Sequence, residues 1–127
     1  PWRARMARIS TSKLITKAMK EAERTAEHLI QVKADLAAKN AQAVLQIARL
    51  QDRIDTLGYG IDVGEATTED EAEQAALTVN QKAWKTYKFS LGKVTAQPTW
   101  PVAPAWPSEP ATLVIEAAPM ARASEQA

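Results

Sequence analysis

The side chains best suited to chemistry are the basic residues near the start of the chain. Arg3, Arg5 and Arg8 follow Trp2, and Lys13 begins a lysine series. Guanidinium and ammonium groups neutralise phosphates, and an indole beside them can stack on a base. These four basic residues are therefore candidate phosphate contacts. A solvated arm is the commoner explanation of such a composition, and an arm that binds an anionic membrane surface is a third.

The remaining reactive side chains do not form a recognisable catalytic or metal-binding motif. His28 is the only histidine and the chain has no cysteine, so neither a catalytic triad nor a paired-ligand metal site is expected. Residues 69–73 hold four acids, but carboxylates in a first helical turn already stabilise the helix. The sequence predicts a protein that is not an enzyme and binds no cofactor or metal.

One long helix must position these groups. Apolar residues recur at alternating steps of four and three, which is a heptad pattern. No proline or glycine interrupts residues 12–57, so the pattern predicts one amphipathic helix over about that range. We call its expected interface the heptad seam. The seam residues are Ile15, Met19, Leu29, Leu36, Asn40, Ile47, Leu50, Ile54 and Leu57.

The sequence leaves the partner of the heptad seam open. Ile and Leu at successive seam positions favour a parallel homodimer, and Asn40 would then fix the register by facing its own copy. Against that, Ile30, Ala37 and Val44 widen the apolar stripe beyond what a two-stranded coiled coil needs. The seam therefore fits a second helix of the same chain with neighbouring subunits, a homomeric coiled coil, or an unrelated protein.

A second, shorter helix is predicted over about residues 69–91. Gly58 directly follows the last seam residue and is expected to end the long helix. Thr68 and Glu71 have the spacing of a capping box, and Gly92 is expected to end the second helix. Acids near its start and lysines near its end complement the helix dipole.

The last part of the chain has a different pattern. Five prolines recur at every third residue from Pro98 to Pro110, which is the period of a polyproline II helix. Trp100 and Trp106 would then lie on one edge, as in a strap that docks on another surface. A rigid spacer and a ligand for a proline-recognising domain are the alternatives. The expected anchors are Pro98, Trp100, Pro101, Pro104, Trp106, Pro107, Leu113 and Ile115.

These segments predict an all-α chain that is not a compact globule. Its expected parts are a basic extended arm (1–10), a helical hairpin or coiled-coil segment (11–93) and an extended, polyproline-II-like tail (94–127). Only 6% of the 127 residues are aromatic, so a deep core is not expected. No apolar run reaches the roughly twenty residues of a membrane span, and synthesis in the cytoplasm is expected.

The favoured function is that of a structural subunit in a larger assembly. Such a subunit would bind copies of itself or other assembly proteins, as a small connector, decoration or internal protein does in the virion of a tailed phage. The comparison with a phage is one of architecture. The alternatives are a nucleic-acid-binding or packaging accessory that uses the basic arm, and an adaptor whose proline-rich tail is read by a partner domain.

Overall fold

The computed structural model describes the backbone of residues 2–115 and the side chains of residues 16–115. Within this range the chain forms helix α1 (Trp2–Asp62), helix α2 (Thr68–Leu91) and a short 3-10 turn (Val94–Ala96), and no strand. The predicted all-α class is confirmed. The side chains of Ile15 and of the candidate phosphate contacts Arg3, Arg5, Arg8 and Lys13 lie outside the described side chains, and residues 116–127 lie outside the described backbone.

Helix α1 is longer at both ends than the sequence predicts. It begins at Trp2, so it includes the segment expected to be an extended arm, where Arg, Ala and Met favour the helix. It also passes through Gly58 and Gly60 and ends at Asp62. Gly58 was expected to end the helix and does not. A Cβ on Gly58 would lie 3.4 Å from the Gln74 side-chain nitrogen, an ordinary contact distance, so α2 packs directly over this part of α1.

The chain reverses between the two helices through a short connection. Gly64 has a φ of 76°, the left-handed conformation that glycine adopts without strain.

The capping box of α2 lies one residue earlier than expected. The Asp70 amide donates to the Thr67 hydroxyl at 3.1 Å, and the Thr67 amide donates to the Asp70 carboxylate at 2.9 Å. At the other end, the Gly92 amide donates to the Lys88 carbonyl at 3.2 Å.

Helix α2 packs antiparallel on the second half of α1. Near the connection, Arg53 binds Glu73, and farther along Lys88 donates to the Asn40 side chain at 2.9 Å. The buried core lies along this interface and continues past both contacts. Its members come from both helices and the 3-10 turn, and they are Ala43, Leu50, Leu57, Leu77, Trp84, Tyr87, Leu91 and Val94.

The tail turns back and runs along the hairpin. Residues 97–103 form turns, and the Trp100–Pro101 peptide bond is cis, so this part differs from the continuous polyproline II repeat expected from the proline spacing. The Gln97 side chain closes the turn through two hydrogen bonds of 2.8 Å with the backbone of Ala105. Beyond the turn, the tail contacts α1 near His28 first and near Arg49 last.

The contacts with α1 show how extended the tail is. His28 meets Pro101 and Arg49 meets Leu113, so twelve tail residues cover twenty-one residues of α1. At a rise of 1.5 Å per helical residue this distance is about 31 Å, or about 2.6 Å per tail residue. The value lies well above that of a helix and near that of an extended chain. The tail is therefore a third, extended layer on the hairpin.

Candidate interaction surfaces

The docked tail covers one groove of the hairpin. Trp100, Trp106, Leu113 and Ile115 pack against the buried core, and all four side chains are half-buried. The Lys39 ammonium lies 5.1 Å from the centre of the Trp106 ring, a cation–π distance. As far as residue 115, the tail therefore docks on the helices of its own chain.

Directional contacts fix the tail in register along the groove. The Trp84 indole and the Asn80 amide both donate to the Ala111 carbonyl, at 3.2 and 2.9 Å. The Arg49 guanidinium donates to the Leu113 carbonyl. At the far end, the His28 Nε2–H donates to two tail carbonyls at 3.0 Å each. Hydrogen bonds to backbone carbonyls hold a segment in one position and do not depend on which side chains the segment carries.

The tail anchors named from the sequence are divided between contact and solvent. Pro101, Pro104 and Pro107 are half-buried, whereas Pro98 is exposed. Trp100 and Trp106 both reach the core despite the turn at residues 97–103. In the structure the indole N–H of the fully buried Trp84 finds its acceptor in the tail, a need that the sequence did not reveal because it does not show which tryptophan is buried.

The heptad seam divides into two halves. Its second half faces α2 and the tail, with Leu50 and Leu57 buried and Leu36, Ile47 and Ile54 packed against the core. Leu29 is half-buried, and Met19 is 58% exposed. Asn40 contacts Lys88 of its own chain, so its amide does not need a second copy. The hairpin therefore buries the seam where α2 and the tail reach it, and Met19, farther toward the start of α1, is exposed.

Among the described side chains, those of α1 that precede the contact with the tail are exposed to solvent. Every side chain from residue 16 to residue 28 is exposed, and His28 carries the tail contact nearest the start of the helix. Residues 2–27 therefore extend about 39 Å beyond this contact at 1.5 Å per residue. In proteins most of the stability of a helix comes from packing one face against other elements rather than from its own hydrogen bonds. The extension offers a surface for another helix.

A second apolar face lies on α1 away from the core. It begins at Ile30, which is 69% exposed, and includes Val44, which is 48% exposed. The alanines between and after them at positions 34, 37, 41 and 48 are exposed as well. The sequence showed this face only as extra width of the apolar stripe, because the pattern alone could not tell which side α2 would cover.

Charge is distributed unevenly over the hairpin. Near the α1–α2 connection, Asp62, Glu65, Glu69 and Glu71 are exposed. In the same region Arg53 binds Glu73 through two nitrogens, at 2.7 and 3.1 Å. This bidentate contact raises the pKa of Arg53 above its already high ordinary value, so the guanidinium stays charged.

The opposite end of α2 is basic and carries an exposed aromatic ring. Lys85, Lys88 and Lys93 line an open cleft of about 540 Å³ together with Phe89. Phe89 is 66% exposed, and the Lys93 ammonium lies 4.5 Å from its ring centre. Residues 82–93 contain no acid. The cleft has the charge and the stacking surface that anionic ligands require.

Two kinds of feature are absent from the described part of the chain. Residues 16–115 contain no group of three His, Cys, Asp or Glu side chains placed to hold a metal ion. Among the helices described, none has the length and apolar character needed to cross a membrane. Comparison of the chain with protein-family models, curated proteins and solved structures gives no match.

Proposed function

We propose that this chain is a non-enzymatic structural subunit that joins a larger assembly through helix α1. The observation that carries the proposal is the exposure of every side chain from residue 16 to residue 28 on a helix that continues from a packed hairpin. The hairpin and the docked tail form the base. The extension of α1 and the second apolar face provide the surface for neighbouring proteins.

The division between base and extension supports a role in assembly. The base buries its own core and pairs polar side chains across the two helices, as in the contacts of Arg53 with Glu73 and of Gln81 with the Ile47 carbonyl. Met19 and Ile30 remain exposed on α1, and burying such side chains against a neighbour is favourable. A helix that packs into a groove or bundle of a partner is a common way of achieving this.

The location of the tail supports a proposal in which partners bind α1 rather than the tail. As far as Ile115, the tail packs on the hairpin of its own chain, which supports a stabilising role for the strap within the subunit. The proposed setting is a large protein assembly, and the virion of a tailed phage is one such setting, on grounds of architecture alone.

The proposal is tested by separating folding from assembly. The double variant Ile30→Lys and Val44→Lys places two charges on exposed positions of α1, so its circular dichroism should match that of the parent chain. In cell extracts of the source organism, the parent chain should sediment with a particle far heavier than 13.9 kDa, and the variant should not.

The matched control carries the same added charge on α2 instead of α1. Replacing Thr78 and Thr86, which are exposed on α2, with lysine adds the same charge elsewhere and should leave sedimentation unchanged. A parent chain that sediments alone, or a double α1 variant that stays with the particle, contradicts the proposal.

The basic cleft on α2 supports a second candidate function, the binding of nucleic acid. Lys85 and Lys93 flank the exposed Phe89 ring, and basic residues beside an aromatic ring suit a single-stranded polyanion. Affinity for a random-sequence oligonucleotide should then fall steeply with salt, and Lys85→Ala with Lys93→Ala should flatten that dependence by about two contacts. An oligonucleotide affinity that changes neither with salt nor with the two substitutions would contradict a nucleic-acid-binding function.

A further inference from the structure

The second apolar face of α1 has the spacing of a helix interface. Its members follow one another at steps of four, three, four, three and four, the alternation found in coiled coils. At about 100° per residue, the face lies roughly 140° around the helix from the core residues Ala43 and Leu50. All six side chains are exposed, and they are Ile30, Ala34, Ala37, Ala41, Val44 and Ala48.

We infer that this face binds a second copy of the chain, with the two α1 helices antiparallel. The inference rests on the proposed function, because it names one partner of the same helix. An antiparallel register in which paired positions add to 78 matches every member of the face. Ile30 then meets Ala48 of the second copy, and Val44 meets Ala34 of the second copy. Large residues face small ones, which lets the helices pack closely.

The pairing nearest the two-fold axis is between alanines. In the same register Ala37 meets Ala41 of the second copy, so no bulky side chain separates the helices at the centre of the interface. Beyond the face, Met19 meets Tyr59 of the second copy, and both side chains are largely exposed in the single chain. An antiparallel pair therefore covers exposed apolar groups at its ends as well as at its centre.

Charge favours the antiparallel direction over the parallel one. Residues 1–20 contain six Lys or Arg and no acid, whereas residues 62–73 contain six acids and no base. A parallel pair would place each group beside its own copy, where like charges repel. An antiparallel pair instead brings the basic start of each α1 to the end of α1 in the other copy, close to the acidic connection.

One pair in this register is unfavourable, and it makes the register testable. Glu23 meets Asp55 of the second copy, and both are exposed. Replacing Asp55 with lysine turns repulsion into attraction at two symmetric places. The dimer should therefore tighten by roughly three- to tenfold, whereas Asp55→Ala, which removes the charge without reversing it, should give a smaller gain.

Engineered cysteines test the direction of the pair in the full-length chain, which has no cysteine of its own. Ala34→Cys and Val44→Cys are purified separately and then mixed under oxidising conditions. The mixture should form a disulfide-linked dimer, because the two positions face each other. Each variant alone should not, because like positions lie about 15 Å apart along the axis, too far for a disulfide.

The outcomes separate this inference from the proposed function. A disulfide-linked dimer formed by the Ala34→Cys variant on its own would indicate a parallel pair and overturn the inference. A monomeric mass by light scattering at about 100 µM protein, together with no cross-link in the mixture, would overturn it as well. The control mixture of Ala34→Cys with Ala38→Cys, an exposed position on another side of α1, should not cross-link. A monomer that still sediments with a large particle leaves the proposed function standing.

Discussion

Removing the Trp84 side chain should destabilise the whole hairpin, because Trp84 joins all three layers. Its side chain is fully buried, its ring lies 5.6 Å from that of Tyr87 in an edge-to-face arrangement, and its indole N–H donates to the Ala111 carbonyl at 3.2 Å. Trp84→Ala loses this burial and leaves a cavity. We expect the free energy of unfolding to fall by about 3–5 kcal/mol, which is a large part of the stability of a small domain.

A conservative variant separates the hydrogen bond from the packing. Trp84→Phe keeps an aromatic ring and loses the indole N–H, while Ala111 retains its bond from Asn80. The cost should therefore be smaller, about 1–2 kcal/mol. Phe89→Ala is the matched control, because Phe89 is an aromatic residue of the same helix that is 66% exposed, and it should change stability by about 0.5 kcal/mol or less.

Urea unfolding followed by far-ultraviolet circular dichroism measures these differences. The midpoint should move strongly for Trp84→Ala, moderately for Trp84→Phe and little for Phe89→Ala, with a similar slope for the last two. A loss below about 1 kcal/mol for Trp84→Ala, or equal losses for Trp84→Ala and Phe89→Ala, would refute the placement of Trp84 at the centre of the core.

Three further predictions concern charge, backbone and pH. A double-mutant cycle over Arg53→Ala and Glu73→Ala should give a coupling of about 0.5–1 kcal/mol, reduced by solvent because Glu73 is 35% exposed; zero coupling would contradict the contact. Gly64→Ala should cost about 1–2 kcal/mol because φ is 76°, whereas Gly92→Ala, in a right-handed conformation, should cost less in the same urea assay. Burial, with a smaller effect of Glu109, raises the pKa of Tyr87 above 10.0, so the folded state holds that proton more tightly. Stability should be full below pH 10 and fall as pH rises through the folded pKa, and Tyr87→Phe should remove that part of the fall.

The helices were predictable because their signals are local. The heptad pattern and the absence of Pro and Gly before Gly58 indicate a long helix, and Gly92 marks the end of α2 as expected. The end of α1 was not predictable from Gly58 alone. Whether a glycine stops a helix depends on what packs against it, and here the nearby Gln74 side chain of α2 is a neighbour that only the fold reveals.

The position of the tail and the choice of face were not predictable for a similar reason. Period-three prolines and two tryptophans indicated docking, but the spacing does not say that the docking surface belongs to the same chain. The turn at residues 97–103 depends on the Gln97 side chain meeting Ala105, a contact between distant parts of the tail. Likewise, Ile30 and Val44 could be assigned to an exposed face only once α2 was placed.

Hydrogen exchange along α1 tests most directly whether this helix is the assembly surface. In the isolated chain at low concentration, amides of residues 16–28 should exchange far faster than those around Leu50, because no other layer covers the extension. In the particle with which the chain sediments, the same amides should become strongly protected while those around Leu50 change little. Equal, fast exchange of residues 16–28 in both samples would contradict the proposed role of α1.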